Sequence, residues 1–390
     1  MKICACIAEY NPFHLGHLKH IDYIKNELKA DKVIVLMSGN FTQRGECAVL
    51  DKFTRARHAI LAGADAVIEL PSVFATANAE VFAKGAINLL CSLKIADGLC
   101  FGVESGDRQS YLSLATAMNN ENKEFKKTLK EYLDSGVSLA KAKFETVKAL
   151  NGDRFDQNLI ATPNNILALE YVKALDKKQS DIQFFPMIRE GDHNDKTLKK
   201  GITSATSIRN ALKMDEIKKI KKCVPSFVYE DLNGYPTDFD KIIMSSIITT
   251  PTERLAQVPD CTEGLENRIK ALTKDNHTIE TLVEKVSTKR YTQARIRRIL
   301  TANLLGITKD FTDDCLKSDL YLKVLAVKKE SKDLISLMAQ NSTIPVLTRK
   351  SDADELKRTA KKCFLTDVLA NDLYNLATNS IQNENYMLII

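Results

Sequence analysis

ICACIAEYNPFHLGHLKHI, residues 3–21, decides how the rest of the chain is read. The apolar run 3–8 predicts a short buried strand, Asn11-Pro12 a tight turn, and the stretch from about Gly16 a helix. His14 and His17 stand three apart around that strand-to-helix turn, so on a helix both face the same way. Gly16 lets a ligand approach the backbone closely. The first N–H groups of a helix lack intrahelical partners and favour phosphate. The carboxyl end of a first strand is also where open α/β sheets bind ligands. The arrangement suits ATP with its phosphates resting on the turn. No cysteine or carboxylate set of metal-site spacing accompanies the histidines, so no metal ligands are assigned.

The remaining chain continues this pattern. Strands are predicted at 32–37, 65–71, 97–104 and 182–189, with helices at 51–61, 75–90, through much of 110–150, and from 162. Alternation at these lengths predicts a parallel sheet with right-handed crossovers. After the second strand comes SGNFTQRGE (38–46), polar and punctuated by glycine. Its Ser38, Gly39, Asn40, Thr42, Gln43 and Arg44 are expected to face substrate at the same sheet end as the histidines. Gly102 leaves room for ribose or base, Asn164 and Asn165 sit near a helix start, and Arg189 ends a strand where it can clamp phosphate.

GITSATSIRNAL (201–212) repeats the logic of the opening stretch. Ser204, Thr206 and Ser207 precede an apolar helix and Arg209 falls in its first turn or so, a cradle for β and γ phosphates. Beyond residue 213 the pattern is mainly helical, with 344–348 as a candidate strand. STKRYTQARIRRIL (287–300) concentrates Lys289, Arg290, Arg295, Arg297 and Arg298 with the stacking ring of Tyr291. That composition points to contact with an RNA backbone. Lys123, Lys126, Lys127 and Lys130 form a second basic stretch in a helical insertion around 110–160.

With 390 residues the chain suggests two or three domains. The expected division is a catalytic domain over 1–212 and a mainly helical region over 213–390. Formal charge is +6, which allows a nucleic-acid partner without requiring one. No apolar run reaches the roughly 18 residues of a membrane span, so no membrane association is expected. The N-terminus shows no signal-peptide pattern. The nine cysteines are scattered without a CxxC pair. They read as reduced, packed thiols of a cytoplasmic protein, with Cys4 and Cys6 on one strand face.

HLGH (14–17) with SATSIR (204–209) resembles the paired motifs of the HxGH nucleotidylyltransferase superfamily. EYNPFHLGHLKH (9–20), MSGNFTQRGE (37–46), DAVIELP (65–71), FGVE (101–104), TPNNILALEY (162–171), EGLENRI (263–269) and KRYTQARIRRIL (289–300) narrow this further. In that order they resemble the bacterial tRNA(Met) cytidine acetate ligases across about the first 300 residues. The resemblance implies a Rossmann-like α/β nucleotidylyltransferase domain followed by a mainly helical C-terminal region. It implies acetate attacking the α-phosphate of ATP, then acetyl transfer to N4 of cytidine 34 of elongator tRNA(Met), giving N4-acetylcytidine.

Carried over, ATP would lie along Ile7, Ala8, Glu9, Tyr10, Asn11, Pro12, Phe13, His14, Leu15, Gly16, His17, Leu18, Lys19 and His20, with Gly102, Asn164 or Asn165, and Arg189. His14, His17, Ser204, Thr206 and Arg209 would stabilise charge at the phosphates. Mg²⁺ would accompany ATP, held chiefly by the phosphates. The target base would be flipped or splayed. Two other functions use parts of the same pattern: nucleotidyl transfer to a small phosphorylated metabolite, and ATP-regulated RNA binding without catalysis.

Overall fold

A computed structural model describes every residue except 138, 153, 154, 190–202, 235, 237, 238, 289 and 383, and the side chains of 139 and 140. β1 (Ile3–Ala8) lies inside a sheet with β2 (Lys32–Ser38), β3 (Ala66–Leu70), β4 (Gly98–Val103) and β5 (Gln183–Ile188). These five strands are parallel, in the order β5-β4-β1-β2-β3. Both faces of β1 are covered, which explains its unbroken apolar run. Ile3 and Ala5 join the core on one face; Cys4 and Cys6 join the core on the other. All nine cysteines are free thiols.

The helices that matter for the cleft are α1 (Leu15–Asn26), α2 (Lys52–Leu61), α3 (Ala79–Leu93), α4 (Arg108–Asn119), α5 (Lys123–Asp134), α6 (Leu139–Asn151), α7 (Pro163–Lys177), α8 (Ala205–Lys213), α9 (Gln293–Leu304) and α10 (Arg358–Thr378). α3 starts later than the Ala75 expected for it. Asn78 takes the cap, its side chain accepting from Val81 N at 3.1 Å. Ala75 instead ends the separate short helix Ser72–Ala75.

The sheet crosses the boundary expected at residue 212. β6 (Leu322–Val327) runs antiparallel to β3, and β7 (Val346–Leu347) and β8 (Leu388–Ile389) each pair with β6. The region between α8 and β6 is helical throughout its regular elements, as expected, but the sheet is mixed rather than wholly parallel.

Buried charge fixes this closing strand. Lys52 of α2 pairs with Glu69 of β3 at 2.8 Å and with Glu384. Lys323 of β6 reaches Glu69 at 3.1 Å and Glu384 at 2.6 Å. Each charge therefore has two opposite neighbours, which offsets the cost of removing four ions from water. Burial alone would raise the Glu384 pKa. Lys52 and Lys323 outweigh it and hold the carboxyl down at about 2.

Candidate active site

A cleft of about 710 Å³ opens across the carboxyl ends of β1, β4 and β5. The N-terminus of α1 forms one wall. His14 is its cap residue, and its Nδ1 accepts from Gly16 N at 3.0 Å. His17 returns the contact: its Nδ1 accepts from His14 N at 3.3 Å. The two rings stack with centroids 3.7 Å apart. An imidazole nitrogen that accepts from a backbone N–H carries no proton, so in both rings the proton sits on Nε2. Burial, reinforced by His14 and Arg189, holds the His17 pKa well below its ordinary value. His20 is held down to about 4, by burial first and Arg189 second, with its Nε2 3.2 Å from Cys100 Sγ.

α8 forms the facing wall. The Ser204 hydroxyl caps it, accepting from Ser207 N at 3.1 Å, and Thr206 lines the cleft. Arg209 Nη1 donates to the Asn11 carbonyl at 2.9 Å, and Nη2 to Thr206 Oγ1 at 3.3 Å. One side chain thus ties the turn before α1 to the start of α8. Glu46 lies 3.5 Å from the Arg209 Nε and 3.9 Å from that of Arg297.

At the β4 and β5 ends, a Cβ added to Gly102 would lie 2.9 Å from Cγ of Arg189. The absent side chain is therefore what lets Arg189 cross the strand into the cleft. Burial lowers the Arg189 pKa, and Glu104 opposes that. Asn164 lines the cleft and donates to Glu104. Asn165 is fully buried behind it, its Oδ1 accepting from Glu104 N at 2.9 Å.

The loop after β2 splits in two. Thr42, Gln43 and Arg44 line the cleft, with Gln43 N donating to Glu9 Oε1 at 2.7 Å. Ser38, the last residue of β2, and Gly39 and Asn40 lie outside the cleft lining. The Ser38 and Gly39 carbonyls accept from buried Arg55. Asn40 accepts from Lys52 N at 2.7 Å and donates to Asn371 at 3.0 Å. The Asn40 side chain thus satisfies the start of α2, whereas the Ser38 hydroxyl is buried without a hydrogen-bond partner among the described residues.

Of the first stretch, Ile7, Ala8, Glu9, Tyr10, Asn11, His14, Gly16, His17, Lys19 and His20 line the cleft. Pro12, Phe13, Leu15, Leu18 and Ser204 lie outside that lining. The walls also include Phe82, Phe101, Tyr171, Met187, Thr292 and Ala294, which sequence reasoning did not assign. Their apolar or capping character carries no chemical signature by itself. Thr292 was findable as the residue before a helix, and it caps α9.

Arg298 of α9 reaches the cleft and pairs with Asp260 at 3.1 Å. Arg295 donates to the Asp260 carbonyl at 2.7 Å and stacks 5.1 Å from the Tyr291 ring. Arg290 pairs with Glu263, which also accepts from Tyr291 Oη at 2.8 Å. Lys289 lies outside the described residues. Lys123, Lys126, Lys127 and Lys130 are all exposed on α5.

The chain matches the HIGH Nucleotidyl Transferase family over residues 1–387. It is 38% identical over 387 residues to a tRNA(Met) cytidine acetate ligase of Thermoanaerobacter sp. (strain X514), covering 97% of this chain and 96% of the relative. The ligase of the same name from Clostridium perfringens (strain ATCC 13124) is 35% identical over 402 residues, covering 100% and 98%. The fold matches Thermotoga maritima TmcAL in its apo form, with TM-score 0.91 and 27% identity. It also matches the form bound with alpha-thio ATP, with TM-score 0.90 and 28% identity. Both comparisons cover 100% of each chain.

Proposed function

The chain belongs to the tRNA(Met) cytidine acetate ligase family, and from that premise we propose how its own residues serve the two steps of the reaction. The enzyme activates acetate with ATP as acetyl-adenylate, then transfers acetyl to N4 of cytidine 34 of tRNA(Met). N4-acetylcytidine, AMP and pyrophosphate are the products.

In the first step acetate attacks the α-phosphorus, and negative charge grows on the phosphate oxygens and the departing pyrophosphate. His14 and His17 offer Nε2–H donors at the start of α1, whose own first N–H groups are already paired, Leu15 N with the Cys223 carbonyl and Gly16 N with His14 Nδ1. Thr206, Arg209 and the N-terminus of α8 offer donors from the opposite wall. Donors fixed before reaction stabilise such charge without reorganising. Ser204 serves indirectly, by capping α8. Gly102, Asn164 and Arg189 would hold the nucleoside end, with Gly102 leaving the space into which Arg189 reaches.

Mg²⁺ would partly neutralise the triphosphate. Among the described residues no group of three or more His, Cys, Asp or Glu could hold a metal ion.

Thr42, Gln43, Arg44 and Thr292 border the side from which a splayed cytidine would enter. Arg290, Tyr291, Arg295, Arg297 and Arg298 would meet the tRNA backbone, all but Arg295 exchanging carboxylate partners for phosphates, with the exposed lysines of α5 as a further basic surface. Among the described residues no helix is long and apolar enough to cross a membrane.

One observation carries the site assignment: two helix N-termini face a single cleft, and Arg209 joins them. The test supplies purified protein with ATP, Mg²⁺, acetate and unmodified elongator tRNA(Met), followed by nucleoside mass spectrometry. Acetylcytidine that needs both ATP and acetate is expected. Its absence across conditions would overturn the reading.

A further inference from the structure

We propose that Glu9 is the base that takes the proton from cytidine N4 during acetyl transfer. The inference rests on the ligase reading above and adds a residue to its second step. N4 of cytosine shares its lone pair with the ring and becomes a competent nucleophile only as it loses a proton. The lone pair forms a bond to the acyl carbon, and the acyl C–O bond to phosphate breaks. Its electron pair leaves with AMP, and one N4 proton must go to a base.

The described lining of the cleft holds only two carboxylates, Glu9 and Glu46. Glu46 is engaged by Arg209 and Arg297. Glu104, just behind the lining, accepts from Thr162 Oγ1 at 2.6 Å and from Asn164. The histidines are excluded as bases, because His14 and His17 hold their protons on Nε2 and His20 turns its Nε2 to Cys100.

Glu9 remains. It follows the last residue of β1, between the phosphate-facing turn and the loop at Thr42. Its Oε1 is fixed by Gln43 N at 2.7 Å, which orients the carboxylate, while Oε2 has no protein hydrogen-bond partner among the described residues. A carboxylate accepting from N4–H also selects cytosine, because uracil presents an acceptor at that position.

Burial raises the Glu9 pKa, opposed by the Gln43 N–H and by Arg209, Arg44 and Arg55. Tyr171 also faces it from α7. A carboxylate so raised is a stronger base once ionised.

The test separates the half-reactions in Glu9→Gln, whose amide oxygen can still accept from Gln43 N. Adenylation is read as acetate-dependent ATP–pyrophosphate exchange. Transfer is read in single turnovers with synthetic acetyl-adenylate and unmodified elongator tRNA(Met). Transfer is expected to fall about 100-fold or more, and exchange less than about tenfold. Wild-type transfer should rise with pH through the raised Glu9 pKa and then level. Glu9→Gln should lose that limb and Glu9→Asp should keep it. Transfer within about threefold of wild type, equal loss in both half-reactions, or a limb that persists in Glu9→Gln overturns the proposal. Wild-type protein that makes no acetylcytidine from synthetic acetyl-adenylate overturns the ligase reading as well, which tells the two failures apart.

Discussion

Replacing His17 by alanine removes two contacts that can be measured separately. One is the acceptor that satisfies His14 N at 3.3 Å. Losing a helix-start partner of this kind costs about 0.5–2 kcal/mol of stability. The other is the Nε2–H donor proposed to stabilise developing phosphate charge. Loss of one such donor lowers turnover by about 10²–10³, or roughly 3–4 kcal/mol of transition-state stabilisation.

His17→Asn restores an acceptor near the Nδ1 position but not the distal donor. His17→Gln restores a distal amide N–H but no ring. Both alanine and asparagine variants should therefore lose about 10²–10³ in ATP–pyrophosphate exchange, with asparagine recovering the lost urea stability. Glutamine should keep more exchange activity than either. tRNA affinity should change little in all three.

The pH profile tests the protonation state. Because the folded His17 pKa lies well below its ordinary value, the neutral ring is the working form across neutral pH. Exchange should not fall as pH rises through about 6.5, the ordinary histidine value. A fall there that vanishes in His17→Gln would refute the neutral-donor argument. An asparagine variant with wild-type exchange would refute the donor itself.

Gly45→Ala should lower stability by roughly 2–4 kcal/mol. Gly45 has φ +69, and its new Cβ would sit 2.4 Å from the backbone of Arg297 and Arg298; a urea-unfolding change under about 1 kcal/mol would contradict this. Lys52→Met should cost about 3–5 kcal/mol in the same assay, because Glu69 and Glu384 would be left buried with Lys323 alone. Asp367 is raised to about 7, by burial first and by Glu69 next. Its folded state favours the protonated acid, so that stabilisation is complete below about pH 4 and disappears as pH rises through about 7. Asp367→Asn can still accept from Ser72 N, and its melting temperature should decline less than wild type from pH 5 to 8; parallel profiles would dismiss the titration.

The two helices whose starts line the cleft were legible because their signals are local. In 3–17 an apolar run, a turn and a polar cap sit within a few residues of each other, and in 204–209 a serine cap directly precedes the helix that carries Arg209. The choice between Asn164 and Asn165 was not local. Successive helical residues point about 100° apart. Only the packing of α7 shows that Asn164 turns to the cleft while Asn165 turns inward to Glu104 N and Ser105. Glu9 was readable as part of the first motif. Its oriented carboxylate was not, because the N–H that orients it belongs to Gln43. β6 was missed for a related reason. Its apolar run LKVLAV carries no turn or cap signal of the parallel units, and Glu69 and Glu384 locate it through Lys323.

The loop after β2 shows why polarity in a loop is an ambiguous sign of function. Its inner half makes few bonds of its own and takes its shape from distant residues. Arg55 binds the carbonyls of Glu9, Ser38, Gly39 and Leu50. Asn371 meets Asn40, and Tyr374 Oη donates to the Ala48 carbonyl at 3.0 Å. Thr301 Oγ1 donates to the Gly45 carbonyl at 2.9 Å. Thr301 lies on α9, whose start lines the cleft, and Asn371 and Tyr374 lie on α10 near the end of the chain. The outer half, Thr42 to Arg44, can face the cleft at a fixed height only because the inner half is held this way. Preorganised sites need such support to keep reacting groups in place. The C-terminal segment therefore belongs to the cleft through the loop it shapes, although among its described residues none after Arg298 lines it.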